Sequence, residues 1–328
     1  MMKAARVVVI TGGSAGIGRA TARAFAQGGA AVAVLARGEE RLADTVAELR
    51  ALGVPAAGIA VDVADAQRVE DAAERIEREL GPIEVWVNNA MVTIFAPFHE
   101  VTAEEFRRVS EVTYLGAVNG TRAALSRMRA RDRGCIVQVG SALAYRSIPL
   151  QSAYCGAKAA IRAFTAALRS ELIHDRSGVR VCMVQLSAFN TPQFDWGRSR
   201  LPRRPQPVPP IFQPEIAAAA IVRAAGSRRR EWWVGWPAAR AILSARLIPG
   251  IGDRLAAKMA WEGQMSMEAA APKRIDNLFE PAQGRQAARG RFDARARTRM
   301  WQPWLSAHRV AAGVAGAILA LVLILGTL

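Results

Sequence analysis

Tyr154 and Lys158 stand four residues apart in "SAYCGAK", in a chain with three tyrosines and four lysines. In a helix, that spacing puts the phenol and the ammonium side by side on one face. A free phenol ionises near pH ~10 and exchanges protons poorly at neutral pH. A fixed cation within ~4–6 Å favours the phenolate, so the pair reads as a proton-transfer site in which Lys158 lowers the pKa of Tyr154. Ser141 ends an apolar run upstream and can offer a hydroxyl to the same substrate oxygen. Tyr145 lacks the arrangement, because Pro149 occupies the position four residues on.

Upstream, "RVVVI" runs into "TGGSAGIGRA", with glycines at 12, 13, 16 and 18. Glycine there lets the backbone approach a pyrophosphate, and the helix that begins near Arg19 brings free N–H groups and a positive dipole end. The spacing is not the usual G-x-G-x-x-G, so the strand before it and the helix after it carry the assignment. The next apolar run, "AVAVLA", ends at Ala36, where an NAD-selective site would place a carboxylate against the ribose hydroxyls. Arg37 follows, and a guanidinium pairs with a 2′-phosphate, so NADP(H) is favoured over NAD(H). Asp62, after "AV", and Asn88, Asn89 and Ala90, after "VWV", lie beyond the carboxyl ends of two further runs, where polar groups face the ligand crevice.

These residues need a frame that brings strand ends together. The runs "RVVVI", "AAVAVLA", "AGIAVDV", "IEVWVNN", "CIVQVGS", "VRVCMVQL" and "EWWVGW" read as strands separated by helical segments. Each is apolar on both parities, which predicts a sheet covered on both faces: an α/β, doubly wound parallel sheet of about seven strands. This unit spans residues 1–236. The Pro- and Arg-rich "RSRLPRRPQPVPP" predicts an irregular loop before the last helix and strand. Residues 237–268 read as a helical extension, and 269–309 as a basic polar linker. Residues 310–328 carry no charge and would span ~28 Å as a helix, enough for a hydrocarbon core of ~30 Å. With Arg295, Arg297, Arg299, Trp301, Trp304 and Arg309 before it, this segment predicts a C-terminal transmembrane helix that tethers a cytoplasmic domain, the alternative being a buried helix packed on the domain.

Composition narrows the classes. The three cysteines, Cys135, Cys155 and Cys182, are odd in number and far apart, which argues against a disulfide framework or a zinc site. His99, His174 and His308 form no metal or triad pattern, so no metal is expected. "MMKAARVVVITGG" reaches a glycine turn too early for a signal peptide. Residues 1–195 carry 23 basic and 20 acidic side chains, residues 196–328 carry 21 and 8. The second part is built to meet something negative, and anionic lipid is the simpler partner. "SRRREWWVGW" pairs arginines with tryptophans as single-stranded nucleic-acid platforms do, but no other recognition motif accompanies it, and nucleic acid is not expected.

Together "TGGSAGIG", "NNA", Ser141 and "YCGAK" resemble the short-chain dehydrogenase/reductase family over about residues 5–236. The resemblance implies a Rossmann-type domain that transfers hydride between a nicotinamide cofactor and a carbonyl or alcohol. On it, Tyr154 is the general acid/base, Lys158 also holds the nicotinamide ribose, and Ser141 polarises the carbonyl. Gly12, Ser14, Gly16, Ile17 and Gly18 would take the cofactor, with Asp62 and Val63 at the adenine. Asn88 and Ala90 fall at the crevice, with Asn88 also stabilising the sheet centre, and Thr191 meets the carboxamide. The resemblance further implies a homo-oligomer.

The sequence departs from the family in three places. Thr113, in "VTYLG", stands where a catalytic asparagine is expected to hold a water of the proton relay. Met91 replaces the glycine of "NNAG", and Leu186 and Ser187 replace a "PG" turn. Phe189, Phe194, Trp196, Leu201 and Phe212 make the loop around Thr191 apolar enough to cover a lipid-like ketone or alcohol, or else pack against the core or a partner subunit. The alternative to an enzyme is a catalytically degenerate nucleotide-binding scaffold at the membrane.

Overall fold

A computed structural model describes residues 6–247, 249–270, 276–284 and 287–300. The predicted transmembrane segment, 310–328, lies outside these residues; among the described ones no helix is long and apolar enough to cross a membrane. All seven expected strands form one parallel sheet. They are β1 (Val7–Thr11), β2 (Ala31–Ala36), β3 (Ala56–Ala60), β4 (Ile83–Asn88), β5 (Gly134–Ser141), β6 (Val179–Leu186) and β7 (Glu231–Val234). Their order is β7-β6-β5-β4-β1-β2-β3. The order reverses between β1 and β4, so the loops after these two strands diverge and leave a crevice at the carboxyl edge.

Both sheet faces are buried, as the apolar parities require. On one face α3 (Ala66–Leu80), α5 (Gly116–Ala130) and α6 (Ser152–His174) cover Val9, Trp86 and Ile136. On the other, α1 (Gly16–Gln27), α2 (Glu39–Ala51) and α7 (Pro214–Ala225) cover Val8, Ile10 and Val137. Local chemistry fixes several helix ends. Asp65 caps α3 by accepting from the Arg68 N–H, and Thr102 and Glu105 form a reciprocal capping box at α4 (Ala103–Ser110). Between α4 and α5 the helix widens into a π-turn, Glu111–Leu115, which carries Thr113.

The carboxy-terminal third departs from the sequence expectation. The Pro- and Arg-rich stretch is not wholly irregular, because Arg203–Pro205 pairs antiparallel with Met265–Ala269. The extension is helical through α8 (Trp236–Leu247), α9 (Pro249–Leu255), a π-turn at Ala256–Ala260 and α10 (Trp261–Gly263), and it ends in that strand. The segment expected to be a polar linker is not free. Its Leu278, Ala282 and Phe292 are buried against the domain, because the few apolar side chains in this polar run find sites on it.

Candidate active site

Ser141 terminates β5, and Tyr154 and Lys158 occupy successive turns at the start of α6. The three line one cleft. The Ser141 hydroxyl accepts from the Leu143 N–H at 3.1 Å, which restricts its rotamer. Lys158 is 2% exposed; its Nζ donates to the Val139 carbonyl at 2.7 Å and stands 5.6 Å from the centre of the Tyr154 ring.

The protein alone does not make Tyr154 acidic, contrary to the expectation from spacing. Burial pushes its phenol well above the ordinary range, against the opposing influence of the Ser141 hydroxyl. Burial likewise lowers the Lys158 ammonium to about 8. Lys158 stands over the ring and is held by a backbone carbonyl, so desolvation outweighs its field at the phenol. Neutral tyrosine is therefore the resting form.

The cleft runs from Tyr154 to the first glycine turn, lined by Gly12, Ser14, Gly16 and Ile17 and, across the crevice, by Arg37, Asp62, Val63, Ala90 and Thr191. Gly16 has φ +55, a left-handed conformation that suits glycine and turns the chain into α1. Gly18 does not line the cleft; a Cβ there would run into the Gly12 carbonyl, so its role is close packing beneath the turn. Asp62 is ion-paired with Arg108, and its other oxygen accepts from the Ala64 N–H at 3.0 Å. These bonds hold its carboxyl below the usual carboxylate range although burial works the other way.

Asn88 requires a correction. Its side chain turns away from the cleft, accepting from the Trp86 indole at 2.8 Å and donating to Thr121 at 3.0 Å. Residues alternate faces along a strand, and the next residue, Asn89, is the one at the cleft. Its amide donates to the Thr11 and Gly12 carbonyls at 3.0 and 3.2 Å and so braces the glycine turn. Thr113, fully buried, uses its hydroxyl on one neighbour: it donates to the Val92 carbonyl at 3.0 Å and accepts from the Val92 N–H at 3.2 Å. Its side chain thus clamps the loop after β4 to the π-turn.

The apolar loop is not a free cover. Phe189 and Phe212 join the main core, and Phe194 and Leu201 join a smaller cluster with Phe95 and Phe292. Trp196 lies under the Arg41 guanidinium, toward the far end of the cleft from Tyr154.

Sequence reasoning missed the strap formed by residues 276–284 and 287–297. Arg37 donates to the carbonyls of Asn277 and Phe279, the latter at 2.7 Å; Arg41 donates to that of Ala282, and Arg108 to that of Leu278 at 3.0 Å. Farther along, the Gly16 N–H donates to the Ala287 carbonyl at 3.3 Å, and Phe292 N–H donates to Asn190 Oδ1 at 3.0 Å. Asn277, Pro281 and Ala282 thereby become part of the cleft wall. The only local signal was the apolar "NLF" and Phe292 inside an otherwise polar run.

The residues fit a dinucleotide. A glycine turn meets a helix N-terminus at the cleft floor, and Lys158 has N–H capacity beyond its bond to Val139. The buried Ser187 hydroxyl, also in the cleft wall, has no partner among the described residues and awaits one from a ligand or water.

Comparison with known proteins agrees. Residues 6–199 match the short chain dehydrogenase family. The chain is 33% identical over 281 residues to the uncharacterized oxidoreductase YxnA of Bacillus subtilis, covering 85% of this chain and 79% of that one. Its fold is similar to a short-chain dehydrogenase from Streptomyces avermitilis (TM-score 0.64, 30% identity, 74% of this chain and 92% of the other). It is also similar to an alcohol dehydrogenase from the archaeon Thermococcus sibiricus, complexed with 5-hydroxy-NADP (TM-score 0.59, 29% identity, 70% and 95%).

Proposed function

The chain belongs to the short-chain dehydrogenase family, and from that premise we propose that it is an NADP(H)-dependent oxidoreductase that interconverts an apolar carbonyl compound and its alcohol. The observation that carries this reading is that Ser141, Tyr154 and Lys158 line one cleft with the Gly16 turn, with the Lys158 ammonium 5.6 Å from the centre of the Tyr154 ring. A bound nicotinamide supplies or accepts the hydride. In reduction, Tyr154 holds a proton ready for the oxygen that becomes the alcohol, and Ser141 donates to that oxygen and orients it. Lys158, still charged at neutral pH, stabilises the tyrosinate left behind and offers its remaining N–H groups to the ribose hydroxyls. In oxidation the proton returns by the same route.

Arg37 and Arg41 line the adenosine end of the cleft, and Ala36 stands where an acid would repel a 2′-phosphate. That supports NADP(H). Met91, Val92, Val139, Leu186 and Phe189 line the wall with Tyr154, which supports an apolar substrate. Thr113 supports the site by fixing Val92, so we assign it a positioning role rather than a proton-transfer role. The tail, residues 310–328, supports a membrane tether by composition alone.

The test is turnover of the purified protein with NADPH and with NADH across apolar ketones, aldehydes and alcohols. The expected result is hydride transfer on at least one of them, with kcat/KM at least ~10-fold higher for NADPH. Tight NADPH binding without transfer on any compound would instead support a scaffold.

A further inference from the structure

Among the described residues, most of the large exposed apolar side chains fall in one stretch of the chain. On the helices after β7, Leu243, Leu247, Ile251, Leu255 and Met259 recur every four residues and are all exposed, Leu247 at 77% and Met259 at 67%. Trp236 and Trp261 stand at the two ends of this stretch, exposed as well. The helices are amphipathic in the ordinary sense, because Ala238, Ala239 and Ile242 of α8 point inward to the core. Their outward face has the apolar character a core face would have.

Charge says what covers it. Arg240, Arg254 and Lys258 are exposed on the same helices, and none has an acidic partner among the described residues. The two acids of this stretch are engaged, Asp253 with Arg146 at 3.0 Å and Glu262 with Arg203. A second copy docking this face on itself would bring these unneutralised cations together, since a two-fold interface pairs a patch with itself. A bilayer surface with anionic headgroups accepts both features at once, apolar side chains into the acyl boundary and cations at the phosphates. The face is also tied to the catalytic segment. Gln264, which follows α10, donates to the Pro149 carbonyl at 2.9 Å and accepts from Gln151 at 2.7 Å, immediately before α6 brings in Tyr154.

We propose that the outward face of residues 236–247 and 249–261 is an interfacial docking surface for anionic lipid, lying in the headgroup plane and holding the segment that leads into α6 beside the bilayer. It is independent of whether residues 310–328 span a membrane, and of the hydride-transfer reading.

The native cysteines are buried, so a thiol-reactive, polarity-sensitive fluorophore can be attached to full-length protein carrying Ile251→Cys, with Ile173→Cys, exposed on α6, as the control. The probes are vesicles of pure phosphatidylcholine and of phosphatidylcholine with about 30% phosphatidylglycerol. The expected result is a blue shift at position 251 with anionic vesicles, reversed by high salt, and no shift at 173. Adding Arg254→Glu and Lys258→Glu should weaken the 251 response at least ~10-fold. A tail-only tether would give equal responses at the two positions and overturn the proposal. So would no shift at 251, or a concentration-dependent shift there without lipid, which would identify a second copy.

Discussion

The floor and the roof of the cleft are built in opposite ways. The floor is the carboxyl edge of the sheet, where Gly12, Gly16, Ser141, Tyr154 and Lys158 take their places from strand ends and helix starts close to them in sequence. The roof is the strap, residues 276–284 and 287–297, held to the domain largely by arginine side chains donating to backbone carbonyls more than 160 positions away. A carbonyl is recognised without regard to the side chain that follows it, so the roof places little demand on its own sequence. The floor holds the residues assigned to chemistry and is specified residue by residue; the roof covers the cleft and is specified by shape.

The comparison predicts unequal consequences for substitutions in the two regions. The largest belongs to Lys158 in the floor. Its buried ammonium has a folded pKa of about 8, below the ordinary value near 10.4, so the charged form is a cost to the fold at neutral pH. That cost is complete below about 8 and disappears as the pH rises toward the unfolded value. Lys158→Met should therefore raise stability by about 2 kcal/mol at pH 7, read by urea denaturation, while removing turnover. In the wild type, reductive kcat/KM should hold level up to pH about 8 and decline above it as Lys158 loses its proton.

Next comes Arg37, which serves both regions. Arg37→Ala should weaken NADPH binding ~10- to 100-fold, NADH binding much less, and speed amide exchange in residues 277–282, where its carbonyl partners lie. A roof substitution should do less. Gly290 packs so closely that a Cβ would stand 2.6 Å from the Thr191 carbonyl. Gly290→Ala should lift the strap and accelerate NADPH release several-fold in stopped flow, with little change in the chemical step.

The smallest effect is at the roof's anchor. Glu105 accepts from both Arg198 and Arg200, and Arg198 reaches on to Asp276 at the start of the strap. These arginines and the Thr102 N–H hold the Glu105 carboxyl down to about 2 against its burial. A depressed carboxylate stabilises the fold fully above its unfolded pKa near 4.3, and the contribution is lost as pH falls through about 2. Glu105→Gln should remove about 1 to 2 kcal/mol at pH 6 and flatten that part of the pH–stability curve.

The sheet was legible because its inner strands are buried on both faces and so carry continuous apolar runs, and because the glycine turn and the tyrosine–lysine pair are local patterns. Asn88 and Asn89 show the limit at one residue: the two are chemically identical, and only the parity with which β4 exits the sheet decides which one meets the cleft. The pKa of Tyr154 was misread because spacing places a cation nearby but does not reveal that Lys158 is bound to Val139 and that desolvation dominates. Thr113 was legible as a substitution but not as a clamp, because its two bonds to Val92 depend on the π-turn. The strap was least legible of all, since its partners are backbone atoms and its signal is a few apolar residues in a polar run.

The central claim, that Tyr154 moves the proton in this cleft, is tested most directly by a single-turnover experiment with the Tyr154→Phe protein, saturated with NADPH and mixed with a carbonyl the wild type reduces. The account predicts that the rate of NADPH oxidation falls at least ~10³-fold while the dissociation constant for NADPH changes less than ~3-fold. An unchanged rate with the phenylalanine variant would contradict it.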